Sequence, residues 1–387
     1  MSIILFDNSE RKKLYPLSNS RALADLRVGI CTAKERWSLL SNEDIYIHTQ
    51  DYLSVLYKPY PDDTHLWIDA TILPDADLAD RILALDDNEA ITDGLGFVAG
   101  RKHFHHDDFS PGKLLAAFET IHERDAVKRL EHPWQIFQLN DEMLRRDFVL
   151  LTKNRISQPL TNSSQYINPS NIFIEEGANI QYSIINASEG PVYIGKNAVI
   201  MEGCLIRGPF ALCNDAVLKM GTKIYGATTL GPCCVGGGEI KNSVMQGFSN
   251  KAHDGYIGDA VMGYWCNLGA GTSNSNVKNT AGVIKVWSAF AGDYLPTEMK
   301  CGFIMGDYTR TSINSSINTG SVIGTCCNVF GDGLLPKYIP DFEWGTKGLT
   351  RYELEKSLKD IDNWKKMKNR SLSPEEKKVL EYIFETF

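Results

Sequence analysis

The chain has 387 residues, 43% hydrophobic and 23% charged, with a formal charge of −8, the composition of a soluble globular protein of about two domains. Negative net charge without clustered Lys and Arg excludes the electrostatic footprint of a nucleic-acid binder, and no stretch approaches the ~20 apolar residues of a membrane span. Nine cysteines, an odd number in no regular framework, point to reduced thiols and a cytoplasmic protein.

The chain opens with IILFDNSERKKLYPLSNSRALADLR, a hydrophobic strand followed by a basic loop. The start, MSIILF, turns charged after six residues, so a secretory signal is not expected. This stretch resembles the start of sugar nucleotidyltransferases, where a strand leads into a Gly-rich loop, an Arg and a Leu-x-Pro step. Such a loop wraps phosphate with backbone N–H groups and basic side chains. Here LYPL is present, but the glycines are replaced by Asp7-Asn8-Ser9-Glu10, and the first glycine is Gly29. Arg11, Lys13, Arg21 and Arg27 are the candidate nucleotide-binding residues, with a basic surface loop as the alternative. Asp69, ending the strand-like HLWID, is the candidate Mg²⁺ ligand. The HFHH run at 103–106 reads as exposed loop histidines and not as a metal tract. EHPWQIFQLNDEMLRRDFVLLT has apolar residues at helical spacing and predicts a connecting helix.

From residue 194 the sequence keeps a beat of six: Ile194, Ile200, Ile206, Leu212, Leu218, Ile224 and Leu230. Four places after each stands Ala198, Cys204, Phe210, Ala216, Thr222, Thr228 or Cys234, small in all but one case. This period is neither that of a helix nor that of a long alternating strand. It fits a chain that turns a corner every six residues and points one aliphatic side chain inward per side. Three sides make a coil, and stacked coils make a parallel β-helix. The beat returns at Ile257, Met262 and Leu268 with one deletion, and again at Ile317, Ile323 and Val329. About eight coils spaced ~4.8 Å apart give a prism roughly 40 Å long. The adjacent pairs Cys233-Cys234 and Cys326-Cys327 suit a tight core better than zinc, which asks for CxxC spacing or nearby histidines.

Between the two runs lies KAHDGYIGDAVMGYWCNLGAGTSNSN, residues 251–276, which holds the single histidine after His132. The repeats resemble the left-handed β-helix of hexapeptide acyltransferases. This segment, with its His, a Tyr three later, an IGDA step and NLGAGT, is similar to the acetyltransferase half of the GlmU-type family. The handedness comes from that resemblance, since parallel crossovers are otherwise right-handed. Histidine suits the removal of an amine proton because it titrates near neutrality. The resemblance makes His253 the general base and places Asn276 beside the acyl group. It puts Lys223, Lys241, Tyr256 and Asn267 on a sugar phosphate, and Ala270, Asn276 and Val277 on acetyl-CoA. Lys223 stands where the family has arginine, which keeps the charge and loses the bidentate fork. Backbone N–H groups of the GAGT turn are expected to face the developing oxyanion. The alternative for His253 is a surface imidazole at a coil corner. A zinc site of three histidines, as in γ-class carbonic anhydrases, has too few ligands here.

Residues 277–303, which include WSAFAGDYLPTEMK, lose the beat and read as a loop or a distorted coil. A solenoid needs its ends covered, a task for two helices, TRYELEKSLKDIDNWKKMKNR and SPEEKKVLEYIFETF, the second capped by Ser373 and opened by Pro374. The expected organisation is an α/β nucleotidyltransferase-like domain (1–150), a linker (151–171), a left-handed β-helix (172–340) and a helical extension (341–387). The resemblance implies a homotrimer that acetylates glucosamine-1-phosphate from acetyl-CoA, coupled to uridylyl transfer from UTP if the first domain holds Mg²⁺. Two other readings stay open: an acyltransferase on another amino-sugar phosphate or nucleotide with a non-catalytic first domain, and a sugar-nucleotide-binding module without catalysis.

Overall fold

The computed structural model describes residues 2–104, 109–346 and 350–386. It contains two compact units. The first comprises Met1–Leu14, Arg21–Leu26 and Cys31–His132, and the second Tyr15–Ser20, Arg27–Ile30 and Pro133–Phe387.

The first unit is built on a six-stranded mixed sheet. Its strands are β1 (Ser2–Phe6), β2 (Asp44–His48), β3 (Thr64–Asp69), β4 (Glu89–Asp93), β5 (Gly96–His103) and β6 (Thr120–Glu123), in spatial order β2-β1-β3-β5-β4-β6. The apolar run SIILF lies between two parallel neighbours and is buried along most of its length, as a central parallel strand must be. Helix α1 (Ala33–Ser41) starts at a capping box between Thr32 and Glu35, and α3 (Ala76–Leu83) starts where Asp75 accepts from the Leu78 N–H; the short α2 spans Asp51–Ser54. An aromatic core forms around Phe6, Trp67, Phe97 and Phe118, with Phe109 stacked on Trp67 at 4.2 Å between ring centroids. Of the HFHH run, His103 is exposed and pairs with Asp62 at 2.8 Å; His105 and His106 lie outside the described residues.

The second unit is a three-sided parallel β-helix. One face has six strands, from Gln165–Ile167 to Tyr256–Gly258; a second has nine, from Ile172–Ile174 to Tyr338–Ile339; a third has five, from Asn179–Ile180 to Asn250–Lys251. The seven residues of the six-beat all point inward and are nearly inaccessible. Strand register shows the coil length: Ile200 pairs with Leu218 and Leu218 with Gly236, eighteen residues apart each, whereas Gly236 pairs with Lys251, fifteen apart. The single deletion read between Ile257 and Met262 falls in the following coil, where Met262 pairs with Met245, seventeen residues earlier; the fifteen-residue coil was not read in the sequence. The corners explain the composition. Asn197, Gly203, Asp215, Gly221 and Cys233 all take positive φ, a conformation open to Gly and, at small cost, to Asn and Asp. Cys233 and Cys326 are corner residues of this kind, while Cys234 and Cys327 fill the interior. All nine cysteines are free thiols.

Residues 285–296 form an antiparallel hairpin, Lys285–Ser288 with Asp293–Pro296, that leaves the coil and returns to it. Helices α4 (Gln135–Gln138) and α5 (Asn140–Thr152) occupy the connecting segment. The C-terminal helices are α6 (Leu354–Lys366) and α7 (Pro374–Thr386), and Ser373 and Glu376 form the expected capping box. They do not simply cap an end: Lys368 reaches the Cys233 carbonyl, Lys365 lies over the Trp265 ring and Arg310 over the Trp364 ring. These anchors come from different coils, so the end of α6 and the residues just after it lie along a flank of the prism. No helix among the described residues is long and apolar enough to cross a membrane.

Candidate functional site

On the six-stranded face, strands Lys223–Tyr225, Glu239–Lys241 and Tyr256–Gly258 lie side by side. Ile224, Ile240 and Ile257 point inward, so alternation turns the flanking side chains outward. One row holds Lys223, Glu239 and Tyr256; the next holds Tyr225, Lys241 and Gly258. The hydroxyl of Tyr225 donates to Glu239 Oε1 at 2.5 Å, which raises the Tyr225 pKa to about 12. Lys241 Nζ lies 6.0 Å from the Tyr225 ring centroid. Asn276 Nδ2 donates to the Tyr256 hydroxyl at 3.1 Å and to Asp259 Oδ2 at 2.5 Å, and Asn242 Nδ2 donates to Asp259 Oδ1 at 2.7 Å. Burial, followed by the charge of Asp259, pushes the Tyr256 phenol above its ordinary pKa.

His253 stands at the corner that feeds this face. It is exposed, and its imidazole has no hydrogen-bond partner among the described residues. The backbone beneath it is fixed by close stacking. A Cβ on Gly237 would sit 2.4 Å from the Ala252 carbonyl oxygen, and one on Gly255, whose φ is +122°, would sit 2.2 Å from that of Thr272. Lys251, two residues earlier, points into the prism and is 2% exposed. Its Nζ donates to the His253 carbonyl, and burial lowers its pKa to about 8.

The structure thus gathers Lys223, Lys241, Tyr256 and Asn276 on one face, with His253 at its edge. Asn276 engages Asp259 and Tyr256 and makes no hydrogen bond to His253. Asn267 belongs to a different face, where it bridges Asn250 and Arg310, so one chain does not bring it onto the Tyr256 face. Ala270 lies in the next coil over the His253 corner, since Gly271 N–H donates to the Asp254 carbonyl at 3.0 Å. Three of the GAGT N–H groups, from Gly269, Gly271 and Thr272, already donate within the fold, whereas the Ala270 N–H donates to no group among the described residues. Val277 is partly exposed beyond Asn276. Tyr225, Asp259 and Lys251 were not among the sequence candidates. Strand alternation from Lys223 signals Tyr225, whereas the role of Asp259 depends on a contact seventeen residues away.

In the first unit a cavity of about 740 Å³ opens beside the carboxyl ends of β1 and β3, where open α/β sheets bind ligands. Asn8, Ser9, Arg11, Lys13, Asp69, Lys113 and Arg129 are among its walls. Arg11 is tied to Asp7 at 2.9 Å and Lys13 to Glu10 at 2.6 Å. Arg21 is not in the wall and offers its carbonyl to Arg11. Arg27 belongs to the second unit, where it exchanges hydrogen bonds with Gln246. Asp69 is 4% exposed and receives Asn8, Thr71 and Arg129; burial pushes its carboxyl upward, against the pull of these partners. Arg129 bridges Asp69 at 3.2 Å to Asp93 at 2.8 Å. Among the described residues no three His, Cys, Asp or Glu side chains gather as a metal set. Asp69 and Asp93 share Arg129, a pairing that does not fit a magnesium ligand set; Glu10, paired with Lys13, and Glu131 also line the cavity.

Residues 3–156 match the family model described as sugar nucleotidyl transferase. The bifunctional protein GlmU of Synechococcus elongatus is 25% identical over 249 residues, 58% of this chain and 51% of that protein. That of Gloeothece citriformis is 30% identical over 169 residues, 43% of this chain and 29% of its own. The chain spans about half the length of the first of these relatives. Among solved structures, the polySia-specific acetyltransferase NeuO aligns with 49% of this chain and 83% of its own, at 10% identity and a TM-score of 0.24. In sequence, then, the chain is similar to GlmU over about half of its length, and its residues 3–156 match the sugar nucleotidyl transferase family model.

Proposed function

We propose that the β-helix transfers an acetyl group from acetyl-CoA to the amine of an amino-sugar phosphate, with glucosamine-1-phosphate as the acceptor. The observation that carries this reading is the His253 imidazole, exposed and without a partner, at the edge of a face holding Lys223, Lys241, Tyr256 and Asn276. The amine nitrogen attacks the thioester carbonyl, the C–S bond breaks, and the amine proton passes through His253 to the departing thiolate. Lys223 and Lys241 hold the phosphate as point charges, and the Ala270 N–H meets the oxyanion. Lys251 fixes the corner from below through the His253 carbonyl.

We further infer a homotrimer. Ile167, Ile184 and Leu205 are 50%, 39% and 47% exposed on the six-stranded face and border a groove of about 550 Å³ that also takes in Lys223, Tyr225 and Glu239. A second copy on this face would cover the apolar stripe and close the site. It would also be the means of adding Asn267 from a neighbouring prism.

Thiol release from acetyl-CoA in the presence of glucosamine-1-phosphate tests the reading. His253→Ala removes an exposed side chain and is expected to fold while losing about 10²–10⁴-fold in turnover, the usual worth of a general base. A wild-type protein that releases no thiol, or a mutant that matches it, would overturn acetyl transfer to this acceptor.

A further inference from the structure

Asp259 stands at a corner of the prism, 3% exposed, with φ +49°, a conformation that Asp adopts at small cost. Its backbone is held on both sides: its N–H donates to the Lys241 carbonyl at 3.1 Å, and its carbonyl accepts from the Gly302 N–H at 2.7 Å. The side chain has an amide on each oxygen, Asn242 Nδ2 on Oδ1 at 2.7 Å and Asn276 Nδ2 on Oδ2 at 2.5 Å. An ionised carboxylate only accepts, whereas an amide has a donor end and an acceptor end. The end of Asn276 that meets Asp259 must therefore be its nitrogen, and the same nitrogen donates to the Tyr256 hydroxyl at 3.1 Å. This fixes the polarity of the amide. Its Oδ1 is turned away from Asp259 and accepts no hydrogen bond among the described residues.

An amide held this way cannot stabilise an acyl oxyanion, which needs donors. It can receive an N–H. The inference rests on the acetyl-transfer reading, in which an amine lies between His253 and Asn276. A protonated amine carries three N–H groups, so His253 takes one and a second remains for Asn276 Oδ1. A sugar hydroxyl in the same place has a single O–H. Once that proton faces His253, the lone pairs of the hydroxyl are set against Asn276 Oδ1. We propose that Asp259 is a positioning residue that holds Asn276 as a hydrogen-bond acceptor, and that this makes the site select an amine over a hydroxyl at the acylated position of the sugar.

Calorimetric titration of the full chain with glucosamine-1-phosphate and with glucose-1-phosphate, which has a hydroxyl in place of the amine, reads the selectivity directly. Wild type is expected to prefer the amine about 10–100-fold, the worth of one hydrogen bond to a charged group. Asn276→Ala, at a half-buried side chain, is expected to lose that preference. Its affinity for glucose-1-phosphate should stay within about twofold, less than one lost hydrogen bond would change it; a merely structural role would weaken both sugars alike. Asn276→Asp alone sets two carboxylates against each other and is expected to be destabilised. Adding Asp259→Asn reverses the pair, still offers the amine an acceptor oxygen, and is expected to restore both stability and preference. A wild type without preference, an Asn276→Ala protein that keeps it, a folded double variant that lacks it, or a double variant no more stable than Asn276→Asp would overturn the proposal. Thiol release from acetyl-CoA, measured in parallel, separates the two readings. Preference without release removes acetyl transfer and keeps the selectivity, and release without preference does the reverse.

Discussion

Lys251 occupies an inward position that the same face fills with Ile180, Ile200, Leu218 and Leu268 in other coils. Burial lowers its pKa from 10.5 to about 8. Between those values the unfolded chain binds more protons than the folded one, so this group makes stability rise as pH rises through that window. A shift of this size corresponds to about 3 kcal/mol, present as a penalty at neutral pH and relieved above about pH 10. Lys251→Met is therefore expected to be more stable than wild type near neutrality, less about 1 kcal/mol for the lost bond to the His253 carbonyl. The difference should shrink toward about pH 10. Urea unfolding of both proteins across this range checks the sign; a mutant less stable at neutral pH would mean that the lysine contributes more by its hydrogen bond than it costs by burial. Lys251 lies six places before Ile257 and so falls on the inward beat; what the pattern does not show is the bond that its ammonium makes to the His253 carbonyl.

At the scale of the coil, alternation separates neighbours of similar chemistry. Ile206 is 3% exposed and Leu205 47%. Ile206→Ala should cost about 2–5 kcal/mol, through lost transfer energy and an unfilled cavity. Leu205→Ala in an isolated chain should stay within about 0.5 kcal/mol. Equilibrium denaturation of the two variants measures the contrast, and equal costs would mean that Leu205 is covered in solution. These inward positions were legible because a three-sided coil repeats its inward residue every six positions, and a fixed period survives any change of outward residue. The irregular segment at 277–303 was legible only as a break in that period. Its hairpin depends on cross-strand partners such as Trp287 and Tyr294, for which the six-beat gives no signal.

For the molecule as a whole, the exposed stripe on the six-stranded face leads to the third expectation. Sedimentation of the wild type should show a trimer, and Leu205→Asp should shift it toward monomer with a parallel loss of acetyl transfer, because a carboxylate buried without a partner opposes association. A wild-type monomer that retains full turnover would remove the shared-site reading. Long-range pairings of this molecule lie beyond sequence reasoning for a plain reason. Arg129 meets Asp69 across sixty residues and Arg27 meets Gln246 across 219, and nothing in the local pattern of either arginine names its partner. Arg27 therefore looked like a phosphate ligand in a basic loop, whereas the fold uses it to bind a segment of the N-terminal chain to the prism.

The sequence by itself determined the prism, its inward residues and its corner chemistry, because each is written in a short repeat, whereas the residues grouped with His253 were assigned by resemblance to the GlmU-type family. The tertiary structure decided which groups are already engaged. It showed Asn276 held by Asp259, Asn267 on another face, the GAGT amides largely used, and Asp69 paired with Arg129. The physical reason is that a side chain's chemistry is fixed by its type, but its availability depends on partners that only the folded chain brings within hydrogen-bond reach.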